Sequence, residues 1–127
     1  MPMSVSDDYA IFEVAFPGPE NSAYEGGIFR LRIRLGENYP YTPPWVRFIT
    51  RVYHCNIAKK TGDISLDLLQ DQWSPAFTLQ KVVLSIQTML TDPNPHDPVE
   101  AEIAALYLHD CKQHDANVRE WVRCFAQ

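Results

Sequence analysis

The 127 residues predict an α+β domain, because turn-broken β-rich segments fill the first half and segments of helical period fill the second. The clearest strand is "IFRLRIRL", residues 28–35, where Phe29, Leu31, Ile33 and Leu35 alternate with Arg30, Arg32 and Arg34. That strict period of two sets one face against a core and the other in water. The clearest helix is "TLQKVVLSIQTML", with Thr78 as N-cap and Leu79, Val82, Val83, Ile86, Met89 and Leu90 on one face.

Each element follows in order. "YAIFEVAF", residues 9–16, is rich in strand formers and stops at "PGPENSAYEGG", whose prolines and glycines strands do not tolerate. After 28–35, "GENYPYTPP" breaks the chain again and "WVRFIT", residues 45–50, makes a further strand, so the strands read as an antiparallel meander. From Tyr53 to Pro75 no period survives. Irregular segments of that length inside a compact domain are usually functional. In "DPNPHDP", residues 92–98, Asp97 reads as N-cap, Pro98 as the first helical residue and Glu100 as the third, so a helix is expected from Pro98 with Ile103, Leu106 and Tyr107 on its apolar stripe. A break near Gln113 to Asp115 precedes a last helix marked by Val118, Trp121, Val122 and Phe125.

The length suits a single domain over residues 1–127 whose core needs no disulfide or metal to hold it. No apolar run approaches the roughly 18 residues that would span a bilayer, and "MPMSVSDDY" lacks the basic and apolar regions of an export leader. No membrane partner is expected. Cys55, Cys111 and Cys124 are an odd count at irregular spacing, which suits buried or half-buried thiols in a reducing cytoplasmic or nuclear setting. Net charge is 11 − 16 = −5. The basic residues read as scattered rather than clustered beside aromatics, so no nucleic-acid partner is expected.

Three site chemistries fall away on motif grounds. His54, Cys55, His109, Cys111, His114 and Cys124 are metal-ligand types, but none sits in the paired Cys-x-x-Cys form that makes a zinc site credible, so no metal is expected. Ser65, in "DISLD", lacks the flanking glycines of a nucleophile elbow. The glycines of "EGG" and "TGD" are isolated, so no cofactor phosphate has a cradle and no cofactor is expected.

The turns and loops do form a recognisable series. "GPENSAYEGGIFRLRI", "YPYTPPWVRF", "VYHCNI", "GDISLDLL", "WSPAFTL", "SIQTMLTDPNPHDPVEAEIAALY" and "REWV", in this order over about residues 7–126, resemble the ubiquitin-conjugating enzymes. The resemblance implies the UBC-like fold: a four-stranded antiparallel meander, a long loop carrying the active site, and helices at the C-terminal end. It implies as partners ubiquitin or a ubiquitin-like modifier, a ubiquitin-activating enzyme, and a RING or HECT ubiquitin ligase. Family domains begin with an amphipathic helix that helps to dock the activating enzyme. This chain reads as starting just inside the first strand, so that helix is expected to be missing and charging to be weak.

Residue by residue, the resemblance implies the following. His54-Cys55-Asn56 matches the motif His-Pro-Asn, with Cys55 in the place of proline and Asn56 on the asparagine held either to stabilise an oxyanion or to order the active-site loop. "GDISLDLL" matches the segment that carries the thioester cysteine, which puts Ser65 on the nucleophile's position and Asp67 on its Leu-Asp step, although "AKKT" makes the intervening loop one residue longer than usual. A serine hydroxyl needs an adjacent base that a thiolate does not, and an ester is a poorer acyl donor than a thioester. The chain is therefore expected to be deficient in transfer. Either a deliberate exchange of cysteine for serine or natural loss would produce this, the second making the chain a binding or regulatory module. Cys55 reads as a structural replacement rather than a substitute nucleophile. Asp97 matches the acidic residue that prepares the incoming lysine, and its helix-capping role can coexist with that. Asp67 has the alternative of accepting backbone amides in its loop. Tyr41, Ser74, Pro75 and Ala76 match the two ligase-facing loops, and Ser85 and Gln87 lie on the helix that contacts ubiquitin, with an ordinary wet helix face as the alternative.

Overall fold

The computed structural model describes residues 3–6 and 9–127, with side chains from residue 10 onward. Four strands, β1 (Met3–Ser6), β2 (Tyr9–Pro17), β3 (Ile28–Leu35) and β4 (Trp45–Phe48), form one antiparallel sheet in sequential order. Three helices follow, α1 (Leu79–Thr91), α2 (Ala101–His109) and α3 (Cys111–Phe125), with a short 3₁₀ turn at Asp67–Leu69. The meander is thus four-stranded, and its first strand precedes the one expected at 9–16. That first strand went unread because "MSVS" carries too few strand formers.

The period of two in β3 holds from Ile28 to Ile33 and fades at Arg34 and Leu35, which are both half-buried. Phe29, Leu31 and Ile33 are buried while Arg30 and Arg32 are exposed, and each buried side chain contributes about 1.5–3 kcal/mol of apolar transfer. Phe16, Phe29 and Phe48 pack against one another and, with Val82, Ile86, Met89 and Leu90 of α1 and Val118 and Val122 of α3, make the main core. Between the sheet and α1 an apolar groove of about 840 Å³ stays open, floored by Phe12, Val14, Ile33 and Leu35 and walled by Leu79 and Val83.

On the opposite, wet face of the sheet the strand register sets Arg34 beside Trp45 and Arg32 beside Arg47. The expectation of basic residues scattered away from aromatics is overturned for these arginines. Residues 30, 32 and 34 alternate with core positions, so a pattern read only as amphipathic also stacks three guanidinium groups in a column.

Two helix boundaries differ from expectation. The helix expected from Pro98 begins at Ala101, with Glu100 at the N-cap position and no side-chain cap. Asp97 is not its N-cap. The Cys55 carbonyl instead accepts from Val99 N (2.8 Å) and Glu100 N (3.0 Å), and the Glu100 carboxylate accepts from Lys59 N at 2.9 Å. The break expected near Gln113 to Asp115 comes at Asp110, whose side chain caps α3 by accepting from Gln113 N at 3.1 Å. Thr78 caps α1 as expected, its hydroxyl accepting from Lys81 N.

Candidate functional site

Residues 53–75 cross the molecule beside α1, held by single bridges rather than a ladder, Ile57 to Ile64 and Arg47 to Asp63. Gly62 lets this segment turn. Its φ is +79°, and a Cβ there would lie 2.0 Å from the Phe48 carbonyl oxygen, so only glycine fits without a shift. The Ser65 amide then donates to the Asn56 carbonyl at 2.9 Å, which fixes the two predicted site positions side by side.

His54 and Asn56 are buried and fully engaged. The His54 Nε2 lies 2.8 Å from the Met89 carbonyl oxygen and its Nδ1 accepts from Asn56 N at 3.0 Å. Those partners give the ring a neutral tautomer with the proton on Nε2, and burial lowers its pKa from 6.5 to about 4. Asn56 is 2% exposed. Its Nδ2 donates to the carbonyls of Asn94 (3.0 Å) and Asp97 (3.2 Å), and its Oδ1 accepts from Asn94 N at 2.8 Å. Both amide protons are spent on the 94–97 segment, so of the two roles that the resemblance offers, this geometry serves the ordering of the loop.

Cys55 is 1% exposed and packs with Ile103 and Ala104 of α2. Burial raises its thiol pKa, which disfavours the reactive thiolate.

Ser65, Asn56, Asp67 and Asp97 line one trough of about 570 Å³. Ser65 is half-buried, and among the described residues no side chain hydrogen-bonds its hydroxyl. Asp67, Asp71, Asp92 and Asp97 stand around the trough against the single ammonium of Lys81, so the space is negative and attracts cationic groups. Asp97 is exposed there. Asp67 is also exposed, and its carboxylate accepts from Leu68 N at 2.7 Å, the backbone role given as its alternative.

Sequence reasoning missed Lys81, Thr88 and Asp92. Their signal was present: 81, 85, 88 and 92 recur at helical spacing and form the trough-facing stripe of α1 and its C-cap. Ser85 belongs to that stripe, its hydroxyl donating to the Lys81 carbonyl at 2.8 Å. Gln87 does not, because two residues turn a helix about 200°, and it lines the apolar groove instead. The structure therefore separates Ser85 from Gln87, with the exposed Leu84 touching both spaces.

The two loops singled out for ligases do come together. Trp73 Nε1 donates to the Pro40 carbonyl at 3.0 Å and its ring stands 6.2 Å from that of Tyr39, tying "YPYTPP" to "WSPAF". Tyr39 and Trp73 are half-buried, Tyr41 projects with 79% exposure, and Pro75 and Ala76 are exposed next to a half-buried Ser74. Among the described residues one group of metal-ligand types also converges, Cys111, His114 and Asp115, with ligand atoms within 4.8 Å of one another in the first turns of α3. The His114 Nδ1 is already paired with Asp115 at 2.9 Å, and the group lies outside the trough.

Residues 2–122 match the family model described as ubiquitin-conjugating enzyme. The fold is similar to the E2 domain of a Toxoplasma gondii ubiquitin conjugating enzyme, with a TM-score of 0.84 and 39% identity over 94% of this chain and 79% of that one. It is equally similar to a protein described as a ubiquitin conjugating enzyme from Plasmodium yoelii, with a TM-score of 0.84 and 40% identity over 94% of this chain and 77% of the other. The sheet, the long trough-bearing segment and the following helices, joined with these matches, establish that this chain belongs to the ubiquitin-conjugating enzyme family.

Proposed function

We propose that this chain is a conjugating-enzyme domain in which Ser65 holds the nucleophile's position, so that it receives a ubiquitin-like modifier and a ligase without completing transfer. The observation that carries this reading is the Ser65 hydroxyl, set in the trough beside Asn56 and Asp97 with no base in hydrogen-bond contact. His54, the nearest imidazole in the motif, is buried and has both nitrogens occupied. An alcohol without a base is a weak nucleophile, whereas a thiol at the same place would be partly thiolate near neutrality.

The remaining parts suit the parent chemistry. The negative trough favours a lysine ammonium, and the exposed Asp97 carboxylate on its wall is the group we assign to take its proton. Asn56 holds the segment bearing Asp97 in place. Tyr41 with Ser74, Pro75 and Ala76 forms the ligase-facing tip, and the trough side of α1, including Ser85, receives the modifier. Gln87 faces elsewhere and is left out of that contact. A cytosolic or nuclear setting accords with two exposed thiols that form no disulfide.

The test supplies activating enzyme, ATP and ubiquitin to this chain and to Ser65→Cys. A thiol-sensitive adduct is expected on the cysteine form, and at most a slow, thiol-resistant, base-labile adduct on the serine form. Absence of any adduct on Ser65→Cys, with the variant folded, would defeat the transfer scaffold and leave a module that only binds.

A further inference from the structure

Cys111, His114 and Asp115 occupy positions i, i+3 and i+4 of α3, the spacing that gathers side chains on one face of a helix. Cys-x-x-Cys pairs converge through a tight turn, and this helix brings three ligand types together by its own period instead. Their ligand atoms lie within 4.8 Å of one another. Around a tetrahedral zinc ion a thiolate, an imidazole and a carboxylate, bound at about 2.0–2.3 Å, stand about 3.3–3.6 Å apart. A contraction of about 1–1.5 Å therefore suffices to close the set.

The imidazole is the fixed member. The His114 side chain is 7% exposed, and its ring packs against Tyr53 and Tyr107 at centroid distances of 5.6 and 5.1 Å. Among the described residues Asp115 is the ring's one hydrogen-bond partner, Oδ1 lying 2.9 Å from Nδ1, and Nε2 has none. Cys111 is exposed and the Asp115 side chain is 40% exposed, so both can swing the remaining distance without disturbing the core. The His114–Asp115 pair is compatible with an ion, because a single proton joins two atoms that are both ligands. On binding, the thiol proton leaves to solvent, and in the neutral ring the imidazole proton passes from Nδ1 to the unpartnered Nε2. The three residues also form one wall of a cavity of about 250 Å³, shared with Ser22, Tyr24 and Thr91, which leaves room for a water. His54 borders the same cavity with both nitrogens engaged, so it does not compete.

We propose that Cys111, His114 and Asp115 bind one zinc ion, with a water from the adjoining cavity as fourth ligand, and that the ion pins the corner where α2 gives way to α3. The mixed sulfur, nitrogen and oxygen set suits zinc, whereas calcium and magnesium take oxygen ligands alone. Thiolate and carboxylate together cancel the charge of the ion, so the site closes neutral at a helix end that is itself positive. All three ligands come from one helix and one of them is exposed, so the ion exchanges with solvent, and a chelator leaves Cys111 free to react.

The experiment titrates the intact, reduced, chelator-treated chain with cobalt(II), whose tetrahedral thiolate complexes absorb strongly, and then with zinc. Saturation at one cobalt per chain is expected, with a thiolate-to-cobalt charge-transfer band that bleaches as zinc displaces the cobalt. Zinc is expected to slow alkylation of Cys111 by at least about tenfold, since a metal-bound thiolate is withheld from the reagent, and to leave Cys124 unchanged. Cys111→Ser and Asp115→Asn, at accessible positions and checked for a native circular dichroism spectrum, should each weaken zinc by at least about tenfold, while Cys124→Ser binds like the parent. His114→Gln is expected to abolish the band, and if that buried change unfolds the chain the two accessible variants carry the test. Absence of a charge-transfer band, a band that survives in Cys111→Ser, equal protection of both exposed thiols by zinc, or full affinity in folded Asp115→Asn would overturn the proposal.

Discussion

Asn56 is the residue on which the site's geometry turns, because three of its hydrogen bonds reach across the chain to the 94–97 segment. Truncation to alanine strands two carbonyls and one amide, so Asn56→Ala is predicted to cost about 1–3 kcal/mol, read from the urea midpoint. Unchanged stability would point instead to a chemical role for the amide. His54 supplies a pH dependence whose sign follows from its lowered pKa. The unfolded ring takes a proton near pH 6.5 and the folded ring only near 4, so the unfolded state binds more protons between those values and stability falls as pH drops through that window. The loss approaches a limit on the order of 3 kcal/mol. Urea titrations across that pH range should show the slope in the parent chain and a flatter one in His54→Gln, provided the variant folds. An equal slope in both would assign it to other groups.

At the scale of elements, the capping arrangement separates two residues that the sequence treats alike. Thr78 caps α1 through its hydroxyl, and Thr78→Ala is expected to cost about 1 kcal/mol. Asp97 caps nothing, and Asp97→Ala is expected to change stability by less than about 0.5 kcal/mol while lowering lysine transfer in the Ser65→Cys background. Chemical denaturation of the two variants side by side checks both, and a large loss in the Asp97 variant would restore the cap. The alternation of β3 and the apolar stripe of α1 were legible because each is a local period set by burial on one side. The start of α2 was not, because the two amides that lead into it, Val99 and Glu100, donate to the backbone of Cys55, more than forty residues earlier and invisible to any local pattern. The pairing of Asn56 and Ser65 was legible through motif resemblance, whereas Lys81, Thr88 and Asp92 looked like an ordinary wet helix face until the trough was seen on that side.

Across the whole molecule charge is divided by surface: carboxylates surround the trough and arginines cover the outer sheet face. The three thiols are divided as well, with Cys111 and Cys124 exposed and Cys55 enclosed where the long loop meets α2. Mass spectrometry after brief alkylation of the native protein is expected to find Cys111 and Cys124 modified and Cys55 untouched; prompt modification of Cys55 would contradict its enclosure. That enclosure makes Cys55 a built-in clock. Since the amides leading into α2 rest on the carbonyl of this residue and Ile103 and Ala104 of the helix pack against it, alkylation is expected to wait until the helix lifts away. The rate of the third modification therefore measures how often that opening occurs. Comparing its denaturant dependence with that of complete unfolding tells whether the helix departs alone or takes the sheet with it.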